Sequence, residues 1–148
     1  MNKKDKIPVW KKFIGSFFFL GKIKGGGTWS SIVTGTILFL FLDWNSPYYF
    51  IIAVGVLLLS ILLSLDISGD PSWFTLDEVT GTIVTFAFHN KDVSTLIVGL
   101  VLFRLFDIFK LPPIKKVEQT KIGIVLDDII AGIFASIFLF VIHSIKPL

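Results

Sequence analysis

The sequence contains no cysteine, only two histidines and a single methionine. The missing thiol excludes disulfides, cysteine-ligated zinc and a cysteine nucleophile. Charge is also scarce. Acidic and basic residues together make up 17% of the 148 residues, against 53% hydrophobic residues and a mean hydropathy of +0.82. Such a composition lies well outside the soluble norm and predicts an integral membrane protein. The net charge of +3 reflects topology in a chain of this kind, and no nucleic-acid partner is expected. With charge so rare, the places where it clusters carry most of the information.

The densest such place is Arg104, Asp107 and Lys110, spaced every third residue at the end of an apolar run that starts at Thr95. On a helix, residues three apart share a face, so the three form one polar stripe. Taking such groups out of water costs several kcal/mol each unless they are paired or serve a ligand. The available partners are two acidic pairs, Asp77-Glu78 and Asp127-Asp128. The pairs echo each other as Leu-Asp-Glu-Val and Leu-Asp-Asp-Ile, each with a glycine soon after, Gly81 and Gly132. A glycine there lets a neighbouring helix approach closely.

Five apolar segments are expected to be helical: Trp29 to Trp44, Tyr48 to Leu65, a short one from Asp77 to Phe88, Ser94 to Lys110, and Gly123 to Ile145. Asn45-Ser46-Pro47, Gly69-Asp70-Pro71, His89 to Asp92 and Pro112-Pro113 punctuate them. Near the start, lysines precede the apolar run Phe13 to Leu20. The run is short for a secretory signal and no small-residue cleavage site follows, so it is expected to be retained as an amphipathic interfacial helix. Lys11, Lys12, Lys22 and Lys24 would then lie near lipid headgroups. The predicted fold is a single all-α domain over 1–148, a compact integral-membrane bundle of about five apolar helices plus the N-terminal interfacial helix. With the N-terminus inside, twelve of the fourteen Lys and Arg residues fall on the inner side, Lys91 and Lys146 excepted. The same orientation brings Gly25 to Thr28, Asp70, both acidic pairs and the Arg104 stripe to one end. It sends His89 and His143 to the other, where both are expected at the surface.

Clustered carboxylates beside arginine and lysine, without thiol or imidazole, make a hard-oxygen environment suited to Mg²⁺. Arg104 would hold a phosphate through paired hydrogen bonds and Lys110 as a point charge. Gly25-Gly26-Gly27-Thr28, just ahead of a helix, would offer backbone N–H groups to an anion. The structural alternatives are an interhelical ion pair for Arg104 and Asp107, acids favoured by a helix dipole, and a plain loop for the glycines. For a phosphatase, the lack of histidine at the polar end excludes a histidine nucleophile. Neither an early Asp-x-Asp nor the long aspartate-rich signature of alcohol phosphatidyltransferases is present. Attack by water beside carboxylate-held Mg²⁺, or by one of the aspartates, stays open.

Four blocks, GGGTWSS from Gly25, DPSWFTLDEVTG from Asp70, FRLFDIFKLPPI from Phe103 and GIVLDDIIAG from Gly123, resemble the phosphatidylglycerophosphatase A family. Its members are bacterial membrane enzymes that use Mg²⁺ to remove the terminal phosphate of phosphatidylglycerophosphate. The blocks follow the family's order and span about three quarters of the chain. The resemblance implies that Asp77, Glu78, Arg104, Asp107, Lys110, Asp127 and Asp128 are motif positions, with Asp70 and Thr28 as weaker members. Two departures touch loop geometry: the family commonly has Pro-Gly-Thr where Gly26-Gly27-Thr28 stands, and Lys-Pro where Lys110-Leu111 stands.

The reading is therefore a multi-pass protein of the bacterial inner membrane with its site on the cytoplasmic side. It would hydrolyse phosphatidylglycerophosphate to phosphatidylglycerol and phosphate. Asp77, Glu78, Asp127 and Asp128 are expected as metal ligands, one of them activating water, and Asp107 as the residue that orients the cations. Arg104, Lys110, Thr28 and Gly27 are expected to bind the substrate phosphate. The rivals are another lipid-phosphate phosphatase, a small ion or proton carrier using the intramembrane charges, and a scaffold in which those charges join helices.

Overall fold

The computed structural model describes residues 7–67, 69–109 and 122–145, which form six α-helices and no strand. These are α1 (Val9–Gly15), α2 (Gly26–Phe41), α3 (Pro47–Ser64), α4 (Leu76–Phe86), α5 (Val93–Phe109) and α6 (Gly123–Ile145), with a 3-10 turn at Leu20–Lys22. The all-α expectation holds, and α6 begins and ends where its apolar run does. Two helices, α3 with 18 residues and α6 with 23, are long and apolar enough to cross a membrane. The other four are shorter than 18 residues.

Local chemistry sets the helix ends. Ser46 caps α3 by accepting the Tyr49 N–H at 3.3 Å, and Pro47 occupies the first helical position, where its missing N–H costs nothing. Gly25, with φ of +75°, turns the chain into α2 in the left-handed region that favours glycine. The Phe13 to Leu20 run is not one helix. α1 stops at Gly15, and Phe17, Phe18 and Phe19 all take positive φ, which folds the chain back toward the bundle. α1 is tied down where the Thr75 N–H donates to the Gly15 carbonyl at 2.8 Å and Lys11 pairs with Asp66.

α4 is the central helix, touching α2, α3, α5 and, most extensively, α6. Nine of its eleven residues are buried. Its three inward hydroxyls, Thr80, Thr82 and Thr85, donate to the carbonyls of Leu76, Glu78 and Gly81 at 2.9, 2.7 and 2.9 Å, so these hydroxyls are satisfied within the helix. The α4–α6 approach is backbone on backbone. A Cβ on Gly132 would collide with the Gly81 carbonyl oxygen, and one on Gly81 would lie 2.7 Å from the Asp128 carbonyl oxygen. The two glycines that follow the acidic pairs therefore serve the close approach that their spacing suggests. Trp44, Tyr49 and Phe86, all fully buried, fill the core beyond this crossing. Large apolar side chains cover much of the outside, among them Phe41, Ile51, Leu62, Ile97, Ile108 and Phe140.

At the end of α4 away from the acidic pairs, the turns around 43–47 and 89–93 meet, with Asn45 Nδ2 donating to the His89 carbonyl at 3.2 Å. His89 departs from the expected surface position. It is buried, 4% exposed, because α6 supplies a partner, Ser136 Oγ, at 2.9 Å from Nε2. His143 is half-buried and meets Thr95 Oγ1 at 2.9 Å, while Asp92 accepts the Thr95 N–H at 2.7 Å. Partners distant in sequence, Ser136 of α6 for His89 and Thr95 of α5 for His143, draw both imidazoles inward.

Candidate functional site

The first turn of α4 carries Asp77 and Glu78, and the second turn of α6 carries Asp127 and Asp128. The sequence echo is repeated in space. Asp77 Oδ1 accepts the N–H of Glu78 at 3.0 Å, and Asp127 Oδ1 accepts the N–H of Asp128 at 3.0 Å. Because α4 and α6 cross at Gly81 and Gly132, the two turns are held side by side. Asp77, Glu78 and Asp128 each place a carboxylate oxygen within 4.8 Å of the other two. Asp127 is equally buried but lies outside that trio.

Three carboxylates so close, with Asp77 and Asp128 each 4% exposed, cannot all be charged without a cation. Burial, then the Glu78 and Asp128 carboxylates, holds the Asp77 carboxyl well above the usual carboxylate range. Burial raises Glu78 as well, opposed by its hydrogen bond to Asp77 and by the Arg104 charge. Glu78 Oε2 is buried and has no hydrogen-bond partner among the described residues. An all-oxygen trio with an unsatisfied acceptor fits a hard divalent cation such as Mg²⁺.

Arg104 reaches the same place from α5. Its Nη1 lies 2.7 Å from Asp107 Oδ2, one turn along the helix, but out of line for a hydrogen bond. Its Nε and Nη1 are buried donors without a hydrogen-bond partner among the described residues. Leaving such donors unpaired is costly, and an anion would satisfy them. Asp107 also comes within hydrogen-bonding reach of Asp128, so it links the guanidinium to the acidic trio.

α2 closes the site from the third side, with its N-terminus pointing in. A Cβ on Gly27 would collide with Glu78 Oε1 and lie 3.4 Å from Arg104 Nη2, and one on Gly26 would lie 2.6 Å from the Gly21 Cα. The glycines are thus not a plain loop. Two of them begin a helix whose first N–H groups have no intrahelical acceptor and whose dipole favours an anion. The result is a cavity of about 660 Å³ bounded by the 21–28 segment, Asp70, Ser72, Trp73, Phe74, Glu78 and Arg104. Lys22 and Lys24 also stand on its rim.

The convergence expected of Gly27, Thr28, Asp70, Glu78 and Arg104 is therefore present around one cavity, with Asp77, Asp107 and Asp128 behind its wall. Lys110 lies outside the described residues. Ser72, Trp73 and Phe74 were not singled out as site residues, although they sit in the same block as the first acidic pair. Their signal was proximity alone, since neither an aromatic nor a serine there announces a cavity wall.

The sequence profile of the phosphatidylglycerophosphatase A family matches residues 13–143. The chain belongs to that family. A protein of Bacteroides thetaiotaomicron named "Putative phosphatidylinositol-3-phosphatase" is 35% identical over 75 residues, covering 47% of this chain and 47% of that protein. The chain thus spans about half the length of this relative. No solved structure matches the chain. The family's profile takes in the 21–28 segment, both acidic pairs and Arg104, so the cavity and its carboxylates belong to the part of the chain that family membership covers.

Proposed function

We propose that the chain is a Mg²⁺-dependent lipid phosphomonoesterase that hydrolyses phosphatidylglycerophosphate to phosphatidylglycerol and phosphate. The observation that carries this reading is the juxtaposition, beside one cavity, of the Asp77, Glu78 and Asp128 trio with the Arg104 guanidinium, whose Nε and Nη1 have no hydrogen-bond partner among the described residues. A cation site and an anion site in contact are what a phosphate ester needs.

Asp77, Glu78 and Asp128 would hold the magnesium, and Asp127 fixes the turn that presents Asp128. A magnesium ion held by these carboxylates would supply Lewis-acid polarisation of the phosphoryl group and a more acidic water. Arg104 binds the phosphate through paired N–H groups and offsets the charge that builds up as the ester bond breaks. The first N–H groups of α2, at Gly27 and Thr28, complete the anion cradle. Asp107 holds Arg104 in line. Lys110 is assigned a second positive charge on the phosphate by its place in the motif. A carboxylate of the trio accepts the proton of the attacking water.

The location we assign is the bacterial inner membrane, with α3 and α6 crossing it. The apolar exterior supports a lipid surround, and the lysines near the cavity support a cytoplasmic opening. The competing substrate class is a phosphoinositide, favoured by the name of the Bacteroides relative. A carrier is not favoured, because the hydroxyls running along α4 from the acids are bonded to their own helix.

Phosphate release by the purified protein in detergent is the test, with Mg²⁺ or chelator, on phosphatidylglycerophosphate, phosphatidic acid and phosphatidylinositol 3-phosphate. Mg²⁺-dependent release that favours the first lipid supports the proposal. Release confined to the inositol lipid transfers the assignment to that substrate, and release from none in a folded protein removes the enzyme reading.

A further inference from the structure

A second cavity of about 410 Å³ adjoins the first, and Thr28 and Arg104 line both. Its remaining walls are Ile32 of α2 and Ile97, Leu100, Val101, Leu105 and Ile108 of α5, and it presents only apolar surface. The α5 residues follow the spacing of one helical face, so the groove is a continuous stripe of that helix. Its shape has a local cause. At Gly35 the two helices touch, since a Cβ there would lie 3.1 Å from both Leu96 and Leu100. From that contact toward Thr28, about 10 Å along α2 at helical rise, a gap opens between them, and it ends at the guanidinium of Arg104. The wall residues stay largely uncovered: Ile97, Val101 and Ile108 are 57%, 54% and 66% exposed.

We propose that this groove seats one acyl chain of the lipid phosphate, next to the headgroup phosphate held at Arg104. The inference rests on the lipid-phosphate reading of the adjoining cavity. The continuity of the two cavities selects this occupant. A molecule with an anionic head and an apolar tail matches a polar cavity and a dry groove joined at one arginine, whereas a second copy of the chain would have no reason to meet the groove at a phosphate-binding group. Arg104 then acts at the junction: its guanidinium takes the phosphate while its methylene stem continues the apolar wall. The groove sets which lipids reach the carboxylates and at what depth their phosphate stops.

The test compares two substrates and adds a binding readout that does not depend on turnover. Val101→Trp and Ile97→Trp fill the groove from exposed positions, so either should fold. For diacyl phosphatidylglycerophosphate, KM is expected to rise about tenfold with kcat little changed, while hydrolysis of the deacylated, water-soluble headgroup phosphate stays within about twofold of the parent. In parallel, phosphatidic acid with a photoreactive acyl chain is cross-linked to the protein in nanodiscs. Labelling is expected on the Ile97 to Ile108 segment, competed by excess phosphatidic acid but not by phosphatidylcholine, and lost in Val101→Trp. Equal changes for both substrates, or none for either, would overturn the proposal. So would labelling spread over α3 and α6 without competition, which marks bulk lipid, or protein-to-protein cross-links through the groove, which mark a dimer. Localised, competed labelling in a protein that releases no phosphate would sink the phosphatase reading and leave the lipid-phosphate groove standing.

Discussion

The Glu78 carboxylate occupies the space that any side chain at Gly27 would fill. Helix α2 can therefore bring its N-terminus against the acidic cluster only because residue 27 has no Cβ. Gly27→Ala should push Glu78 away from Asp77 and Asp128 and lower kcat by roughly a hundredfold, the scale of a catalytic group displaced by about an ångström. Stability should change far less than activity. Turnover measured beside thermal unfolding separates the two, and a fully active Gly27→Ala protein would refute the placement.

Removing magnesium should destabilise the protein as well as silence it. A ligand at a hundred times its dissociation constant stabilises the native state by about 2.7 kcal/mol, so the unfolding temperature should rise with added Mg²⁺. In Asp77→Asn and Asp128→Asn that rise should disappear. Without metal, either variant should equal or exceed the parent in stability, because an amide removes the cost of burying a carboxyl whose charged form is opposed by burial and by two neighbouring carboxyls. The comparison needs only melting curves with chelator and with Mg²⁺.

Arg104→Lys keeps the charge and loses the planar fork, so it distinguishes paired binding of phosphate from simple attraction. A loss of about 2.7–4 kcal/mol in transition-state stabilisation, or 10²–10³ in kcat, is expected if both N–H groups engage the phosphate. Asp107→Asn should act through the arginine, lowering kcat by a smaller factor in the Arg104 protein and by little once Arg104 is lysine. A double-mutant cycle measures that coupling.

Stability should also fall in mild acid for a reason unrelated to the site. Burial, with His143 next, holds His89 below its ordinary value of 6.5. As the pH falls, the unfolded chain takes up this proton first. The contribution is thus fully present above 6.5 and is lost as the pH descends through the folded value. The raised carboxyls of Asp77 and Glu78 act in the opposite sense, so the readout is the difference: from pH 8 to pH 5 the melting temperature of the parent should fall relative to that of His89→Gln.

Gly132→Ala should cost more stability than Gly27→Ala. The added methyl meets the Gly81 carbonyl, a backbone group that cannot rotate aside. A cost of about 1–3 kcal/mol is expected from overpacking, together with loss of activity, because Asp77 and Asp128 separate as the helices do. Chemical denaturation and turnover of the same preparation check both.

Much of this was readable in the residues. Helix ends followed Gly, Pro and Ser signals, and the glycine after each acidic pair pointed to a close helix approach without showing that α4 and α6 would be the two that meet. The gathering of Arg104, Glu78 and the glycines at one end followed from alternating the segments. What could not be read depended on contacts between distant segments. Asp77 and Asp127 look alike in sequence, yet only Asp77 joins Glu78 and Asp128 in the trio, since the rotation of each helix about its axis decides which acid faces inward. His89 gave no sign that Ser136, 47 positions away, would bury it. The backward turn through Phe17, Phe18 and Phe19 defies their intrinsic preferences and is imposed by docking of α1 against Thr75.

The glycine contact between α4 and α6 also acts as a fulcrum. Gly81 lies four residues after Asp77 and Gly132 four after Asp128, about 6 Å at helical rise, whereas Ile145 is thirteen residues beyond Gly132, about 20 Å. On α6 the acid sits on the short arm and the distant helix end on the long one. Bending or thermal swing of the bundle that moves the tip of α6 by an ångström shifts the carboxylates by about a third of that. An oxygen cage for a small cation with strict geometry is thereby shielded from the motions of the helices that carry it.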